Sequence, residues 1–512
     1  MSLTVIEEQP DTGSPVAHVD VLIVGAGVSG IGCAYHLQTE QPGESYVILE
    51  AREATGGTWD LFRYPGIRSD SDLHTFGYEF KPWVDEKAIA GGPSILRYIR
   101  ETASENGIDS HIRLGHRVLG ASWSSRDARW TVTAIRTDTG ESVQYTCSWL
   151  FAAGGYYSYE QGYTPHFEGR ERFRGPVIHP QQWPEDLDYA GKRVVVIGSG
   201  ATAVTLIPAM SRTAAHVTML QRSPTYVISV PEKDPIANAM KRVLAAPLAY
   251  SLTRRKNIWL QRTVYNLSQS HPKLVRTVLR FLLKRQLPPG YDVDTHFKPR
   301  YDPWDQRLCA VPDGDLFEEI SAGRASVVTD QIDHFTEHGI MLASGTELPA
   351  DIIVTATGLD LLAFGGIGLA VDGQDVDLHS TIAYKAMMLS DVPNFAFAIG
   401  YTNSSWTLKV DLVCEYLGRL IAYMDEHGYD TCTPHNDDPA ITTRPLLDFG
   451  AGYVKRAEDR LPRQGDRLPW SLAMSYRQDM QNLRRGAIED PCLRFTRSPA
   501  PALEPLAAAS AG

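Results

Sequence analysis

The stretch Val19-Asp20-Val21-Leu22-Ile23-Val24-Gly25-Ala26-Gly27-Val28-Ser29-Gly30 decides the fold. Its first half is apolar and largely β-branched, the pattern of a strand buried in a parallel sheet. Its second half is G-x-G-x-x-G, and a helix-like run follows from Ile31 to about Leu37. Glycine is needed here for three reasons: a tight turn, close backbone approach to a pyrophosphate, and close packing of helix on strand. Backbone N–H groups and the helix dipole then face the phosphates. A second strand, Tyr46 to Leu49, ends at Glu50, 20 residues past Gly30. At that distance an acidic side chain accepts hydrogen bonds from a ribose. Gly25, Gly27, Gly30 and Glu50 therefore read as one nucleotide cradle.

The arrangement recurs. Arg193-Val194-Val195-Val196-Ile197 reads as a strand, followed by Gly198-Ser199-Gly200-Ala201-Thr202-Ala203 and a helix to about Met210. Alanine in the third slot is tolerated by this fingerprint. The next strand, His216 to Leu220, ends not at an acid but at Gln221-Arg222-Ser223. An acid there would repel a 2′-phosphate, whereas arginine pairs with it bidentately. Gly198, Gly200, Thr202, Arg222 and Ser223 thus favour NADPH, and the first cradle, with its glutamate, favours FAD.

Two cradles predict an α/β chain with two Rossmann-like dinucleotide-binding domains, the NADPH domain inserted into the FAD domain. The strand Asp351–Thr355, leading into Ala356-Thr357-Gly358, is expected to carry the chain back toward the first cradle. The expected divisions are a tail over 1–18, an FAD domain in two pieces (19–170 and 340–490), an NADPH domain over 171–339, and a tail over 491–512. A basic helical insert is expected at 235–300.

Composition agrees. Of 512 residues, 43% are apolar and 21% charged, which excludes a disordered chain. The net charge of −12 argues against a dedicated nucleic-acid binder. Six scattered cysteines form no C-x-x-C zinc or redox motif and read as reduced thiols of a cytoplasmic protein. Cys33 stands alone near the first cradle, which argues against a dithiol reductase. No metal site is read. Met1 to His18 lacks the apolar core of a signal peptide, and no stretch approaches 18 consecutive apolar residues.

Three further segments narrow the chemistry. They are Gly56-Gly57-Thr58-Trp59-Asp60-Leu61-Phe62-Arg63-Tyr64-Pro65-Gly66-Ile67-Arg68-Ser69-Asp70, then Phe173-Arg174-Gly175-Pro176-Val177-Ile178-His179-Pro180-Gln181-Gln182-Trp183-Pro184, and Trp304-Asp305-Gln306-Arg307-Leu308-Cys309. The middle one reads F-x-G-x-x-x-H-x-x-x-W-P. On these motifs the chain resembles the type I Baeyer–Villiger monooxygenases, class B flavoproteins. Within them it is most similar to the actinobacterial branch that includes an ethionamide-activating monooxygenase. The resemblance spans roughly Val19 to Asp490.

The resemblance implies FAD, NADPH and oxygen as reactants. It implies a flavin peroxide that attacks a ketone to give an ester or lactone, with sulfide or thiocarbonyl oxidation at the same site. It places Arg307 as the catalytic arginine, whose cation keeps the peroxide anionic and stabilises the oxyanion. It pairs Asp70 with Arg307 as the orienting carboxylate. Phe173, Gly175, His179 and Trp183 belong to the interdomain connection, Trp59 packs near the flavin, and Asn403 and Trp406 face the flavin or substrate. An S- or N-oxygenating enzyme and a flavin redox sensor without turnover remain as alternatives. The partners expected are a small ketone or sulfide and oxygen; oligomeric state is left open.

From Lys241 to Arg285 there are eleven Lys/Arg and no Asp or Glu. Leu274, Val278, Phe281 and Leu282 fall on one helical face, and Pro247, Pro272 and Pro288 divide the segment. One reading is a helical insert packed on the NADPH domain with its basic face in water. Another is a peripheral membrane contact over 241–285, and a third is attraction of the anionic NADPH.

Overall fold

The apolar run before the first glycines forms the centre of a large sheet. The computed structural model describes residues 17–306, 308–448 and 450–497. In it β1 (Ala17–Val24) lies between β2 (Tyr46–Leu49) and β3 (Ser142–Ala152), parallel to both, with Val21 opposite Tyr46 on one side and Trp149 on the other. Helix α1 (Val28–Glu40) connects β1 to β2. Successive side chains of β1 point to opposite faces, and both faces are covered. Val21 and Ile23 pack with Ile31 and Leu37 of α1 and with Val410. Leu22 and Val24 pack with Val118, Trp123 and Phe395. That two-sided burial is why the strand reads as continuously apolar rather than alternating. The strand Phe395–Phe397 pairs parallel with β3, so the first unit is completed by a distant part of the chain.

The second unit is a five-stranded parallel sheet. Its strands are β4 (Val177–Ile178), β5 (Arg193–Ile197), β6 (His216–Gln221), β7 (Ala325–Thr329) and β8 (Ile352–Thr355), in the spatial order β7-β6-β5-β8-β4. Helix α2 (Ala201–Met210) follows β5. Strand order reverses beside β5, so a crevice opens beyond its carboxyl end, the place where such sheets bind ligands.

The expected return to the first unit at residue 340 is displaced. Ile340 and Leu342 pack with Phe335 on Val195, Ile197, Leu220 and Ile353, and β8 pairs with β5 and β4 inside the second sheet. The chain leaves this unit after Thr355. A three-stranded antiparallel layer (Ile332–Phe335, Gly339–Leu342, Glu347–Pro349) caps the parallel sheet, and its short strands give no local sign of which unit they cover.

Both expected tails are shorter than read. Ala17 and His18 already belong to β1. Leu493–Thr496 is a strand antiparallel to Thr431–Pro434, with Leu493 buried. The stretches 1–16 and 498–512, read as tails, lie outside the described residues.

The insert is helical as expected: α3 (Pro235–Val243), α4 (Ala246–Ser270) and α5 (Pro272–Gln286). Pro247 and Pro272 fall in first turns, where a missing N–H costs nothing. Packing on the second unit alone is corrected. Leu283 of α5 joins the second unit's core, but α4 is fastened to the first. Arg254 Nη1 donates to Gly77 O at 2.7 Å and Asn257 Nδ2 to Asp72 Oδ1 at 2.8 Å. The insert bridges both units.

Candidate active site

At the first cradle each glycine has a distinct steric reason. Gly25 has φ +105°, and a methyl group on it would lie 2.8 Å from Ala153 O. A methyl on Gly30 would lie 1.9 Å from Gly25 O, so α1 could not approach β1 with any other residue. Gly27 faces Gly57, whose Cα would be 3.6 Å from a Gly27 methyl. Gly57 comes from the separate G-G-x-W segment. Two glycine turns distant in sequence thus leave a shared backbone-lined gap, with the bareness a pyrophosphate requires. Glu50 is buried beside it and accepts from Ala26 N (2.7 Å) and Arg52 N (3.0 Å). Burial pushes its carboxyl above the usual carboxylate range, and those two backbone donors oppose the rise.

Aromatic side chains wall this cradle. Trp406 Nε1 donates to Ser29 Oγ at 3.1 Å, and its ring stacks on Tyr156 with centroids 5.1 Å apart. Trp59 is half-buried against Phe76, edge to face at 5.8 Å. Asn403 Nδ2 is held on Met474 O at 3.1 Å, a link between loop segments.

The second cradle is built alike but left open. Gly198 has φ +138°, and a methyl on it would meet Ala356 O at 2.3 Å, while one on Gly200 would meet nothing within 4 Å. Ser199 Oγ bonds Ser223 O (3.3 Å) and Thr225 Oγ1 (2.7 Å). The glycine turn and the Arg222-Ser223 turn are therefore tied together at the ends of β5 and β6, and both Arg222 and Ser223 are exposed.

The Tyr64-Pro65-Gly66 segment joins the cradles. The buried Tyr64 hydroxyl is a neighbour of Thr202, in the first turn of α2. Burial pushes that hydroxyl upward, Thr202 opposes the rise, and the Asp70 charge adds to it. Gly66, at φ +77°, sits so close to α2 that a methyl would lie 2.7 Å from Ala209 Cβ and 2.8 Å from Thr205 O. Arg68 pairs with Asp315 of the second unit, Nη2 to Oδ1 at 3.3 Å. Asp70 is exposed beyond this grip. Arg307 lies outside the described residues; the strand just after it, Cys309–Pro312, runs parallel to Val227–Val230.

His179 spans the two peptide links between units. Its Nδ1 accepts from Gln181 N at 3.2 Å, so Nε2 carries the proton and donates to Gly358 O at 3.2 Å. Burial lowers its pKa, keeping it neutral. A methyl on Gly162 would lie 1.9 Å from the imidazole, and one on Gly175 would lie 2.3 Å from Asp351 O. Phe173 is buried in the second unit against Phe335, while Trp183 packs on that unit's other core. These four residues fasten the link. A cavity of about 580 Å³, lined in part by His179, Tyr163, Arg456 and Arg460, opens beside them.

A polar network escaped the sequence reading. Asp72 caps the short helix Leu73–Phe76 and receives Gln261 Nε2 of α4 at 2.6 Å. Gln261 Oε1 accepts from Ser404 Oγ at 2.6 Å, and Thr75 Oγ1 meets Ser405 Oγ at 2.6 Å. Its members come from three distant segments, so no motif could announce it. Cys33 is also less isolated than its sequence neighbours suggest. Cys414, on the long helix α6 (Thr407–His427), is its buried neighbour in the same packed core. Among the described residues no His/Cys/Asp/Glu group could hold a metal ion.

Fold and site together define a two-dinucleotide-binding flavoprotein oxidoreductase. A family model described as pyridine nucleotide-disulphide oxidoreductase matches residues 22–246. The FAD-containing monooxygenase EthA of Mycobacterium tuberculosis (strain H37Rv) is 54% identical over 485 residues, covering 94% of this chain and 99% of that protein. The chain belongs to this family of FAD-containing monooxygenases. Its fold is that of an oxidised steroid monooxygenase bound to NADP (TM-score 0.75, 20% identity, 94% of this chain and 100% of that one). It is likewise that of the cyclohexanone monooxygenase from Rhodococcus sp. Phi1 bound to NADP+ (TM-score 0.71, 19% identity, 94% and 100%).

Proposed function

We propose that the protein is an NADPH- and oxygen-dependent Baeyer–Villiger monooxygenase, with FAD held by the first unit and NADPH by the second. The observation that carries this reading is the Tyr64–Gly66 grip on Thr202 and α2, which ties the G-G-x-W…Y-P-G-x-x-x-D segment of one cradle to the helix start of the other. Family membership and the F-x-G-x-x-x-H-x-x-x-W-P link support it.

The residues fit the two groups. The bare backbone at Gly25, Gly27 and Gly57 admits a pyrophosphate, and Glu50 stands at the ribose position. Gly198, Gly200 and Thr202 offer a second phosphate cradle, and Arg222 and Ser223 suit a 2′-phosphate. Bound FAD, reduced by NADPH, supplies the activation of dioxygen. The chain's residues do the rest. Arg307, assigned by its place in the sequence, provides a cation that favours an anionic oxygen during attack and stabilises the oxyanion on the former carbonyl. Asp70 orients that cation. Neutral His179 holds the link and transfers no proton. Overall, ketone, dioxygen, NADPH and one proton give ester or lactone, NADP+ and water, one oxygen atom going to each of the last and first products.

The test is product analysis. Purified holoenzyme is given a panel of ketones and sulfides under isotopically labelled dioxygen. The expected result is ester carrying one labelled oxygen per NADPH consumed. Sulfoxide with no ester from any ketone would assign the natural task to sulfur oxidation. NADPH use without labelled product would leave only a redox sensor or an oxidase.

A further inference from the structure

Helix α4 is inverted relative to an ordinary surface helix. Its inner face is polar: Arg254, Asn257 and Gln261 hydrogen-bond to the backbone of Gly77 and to Asp72. Its outer face is apolar: Leu252, Trp259, Leu260, Val264 and Leu267 all stand exposed, Trp259 by 65%. On α5, Leu274, Val278, Phe281 and Leu282 continue that surface, Phe281 exposed by 58%. Among the large apolar side chains exposed in the described residues, all but Val84, Leu114, Leu119 and Leu468 lie between Ile236 and Leu282. A contiguous apolar face of this kind in water marks a binding surface. A cavity of about 340 Å³ between α5 and the strand Val227–Val230, lined by Leu279, Leu282 and Leu283, opens at its edge.

The charges choose the occupant. Some cations of the insert are neutralised within the protein: Lys256 with Asp234, Arg276 with Asp302, and Arg280 with Asp294. Arg255, Arg262, Lys273, Lys284 and Arg285 stand exposed on α4 and α5 beside the apolar residues. A second copy docked face to face would set this cationic surface against itself. An anionic surface complements it, and the net charge of −12 for the whole chain places the excess acid on the rest of the molecule, which would face away.

We propose that the outer face of α3–α5 docks on an anionic lipid bilayer, its apolar side chains entering the headgroup boundary and its cations meeting lipid phosphates. No helix of the described residues is long and apolar enough to cross a membrane, so the contact is interfacial. The inner face of the same helix carries Gln261 of the Asp72–Ser404 network. Docking therefore sets that network about 10 Å, one helix diameter, from the lipid, a short route for apolar substrates.

Flotation of the holoenzyme with vesicles tests this, independently of any turnover. The expected result is co-flotation with phosphatidylglycerol-containing vesicles at low salt, weaker with phosphatidylcholine alone and weakened by salt. Trp259→Asp with Phe281→Asp should reduce bound protein at least about tenfold, and Arg255→Glu with Lys273→Glu and Lys284→Glu should do the same. Both variants alter exposed side chains and should keep flavin content and NADPH oxidation. No flotation of the wild type at low salt, or flotation unchanged in the Trp259/Phe281 variant, overturns the proposal. Self-association without lipid, abolished by that variant, would assign the face to a second copy and overturn it equally.

Discussion

The two glycine cradles obey one local rule and differ in how they are closed. At the first, Gly27 faces a second glycine turn at Gly57, and the acid Glu50 is buried and bonded to the turn's own backbone. At the second, a side chain on Gly200 would meet open space, and Arg222 lies exposed. The first is walled on several sides by distant chain segments; the second faces solvent. Burial raises the barrier to exchange, so the first suits a resident cofactor and the second a nucleotide that comes and goes. The same fingerprint therefore serves two purposes, decided by what packs around it.

That contrast can be broken most directly at the glycines. Gly30→Ala places a methyl 1.9 Å from a backbone oxygen. Overpacking costs about 1–3 kcal/mol, with more where backbone must move. The variant should purify without the yellow flavin absorbance or fail to fold. Gly200→Ala fills only the open cradle, so flavin content should stay full while KM for NADPH rises. Flavin loss in Gly200→Ala would show the two cradles are not separable. Next in size is Arg222→Ala. A charge-assisted pair is worth about 1.5–3 kcal/mol, so kcat/KM for NADPH should fall by about 10–100-fold while that for NADH changes little. Equal losses for both would remove Arg222 from 2′-phosphate recognition.

His36, on α1 behind the first cradle, gives a pH-dependent effect. Burial alone would lower its pKa, but the Asp411 carboxylate, 3.6 Å from Nε2, and the 2.8 Å hydrogen bond between Nδ1 and Glu40 overcome that and hold it well above the ordinary imidazole value. A raised folded pKa contributes stability that is fully present below the unfolded value of about 6.5. That contribution is lost as pH rises through the folded value. Thermal unfolding followed by flavin release should thus show Tm falling as pH rises from about 6.5 toward the folded value, and His36→Gln should flatten the slope. A slope unchanged by the substitution would place its source elsewhere. The smallest expected effect is Tyr64→Phe, which removes the hydroxyl that neighbours Thr202 across the two cradles. A loss of about 1 kcal/mol should raise KM for NADPH a few-fold and leave flavin content intact; a change in flavin content alone would reverse the assignment.

What could be read beforehand followed the range of the forces involved. Strand, glycine turn and helix at Val19–Leu37 and Arg193–Met210 are local patterns, dictated by burial period and by φ and Cβ constraints within a dozen residues. The order of the cradles, and Glu50 against Arg222 at the two strand ends, follow from the same local rules. The boundary at 340 was misplaced because the short strands Ile332–Phe335 and Gly339–Leu342 carry no sign of the sheet they cover. The tail at 491 was misplaced for the same reason, Leu493–Thr496 being a strand only because Thr431–Pro434 lies beside it.

The amino-acid sequence by itself determined two dinucleotide cradles, the motif-bearing link between them and the helical character of a basic insert. Only the tertiary structure decided that Gly57 faces Gly27, that Gly66 seats the first unit on α2, that Cys414 lies against Cys33, and that Gln261 turns a polar face inward. These depend on contacts between segments tens to hundreds of residues apart, whose free energy appears only when the packed interior excludes water. The same packing settled which side of α4 is left apolar and uncovered, a feature that the spacing of its residues leaves undefined until its neighbours are in place.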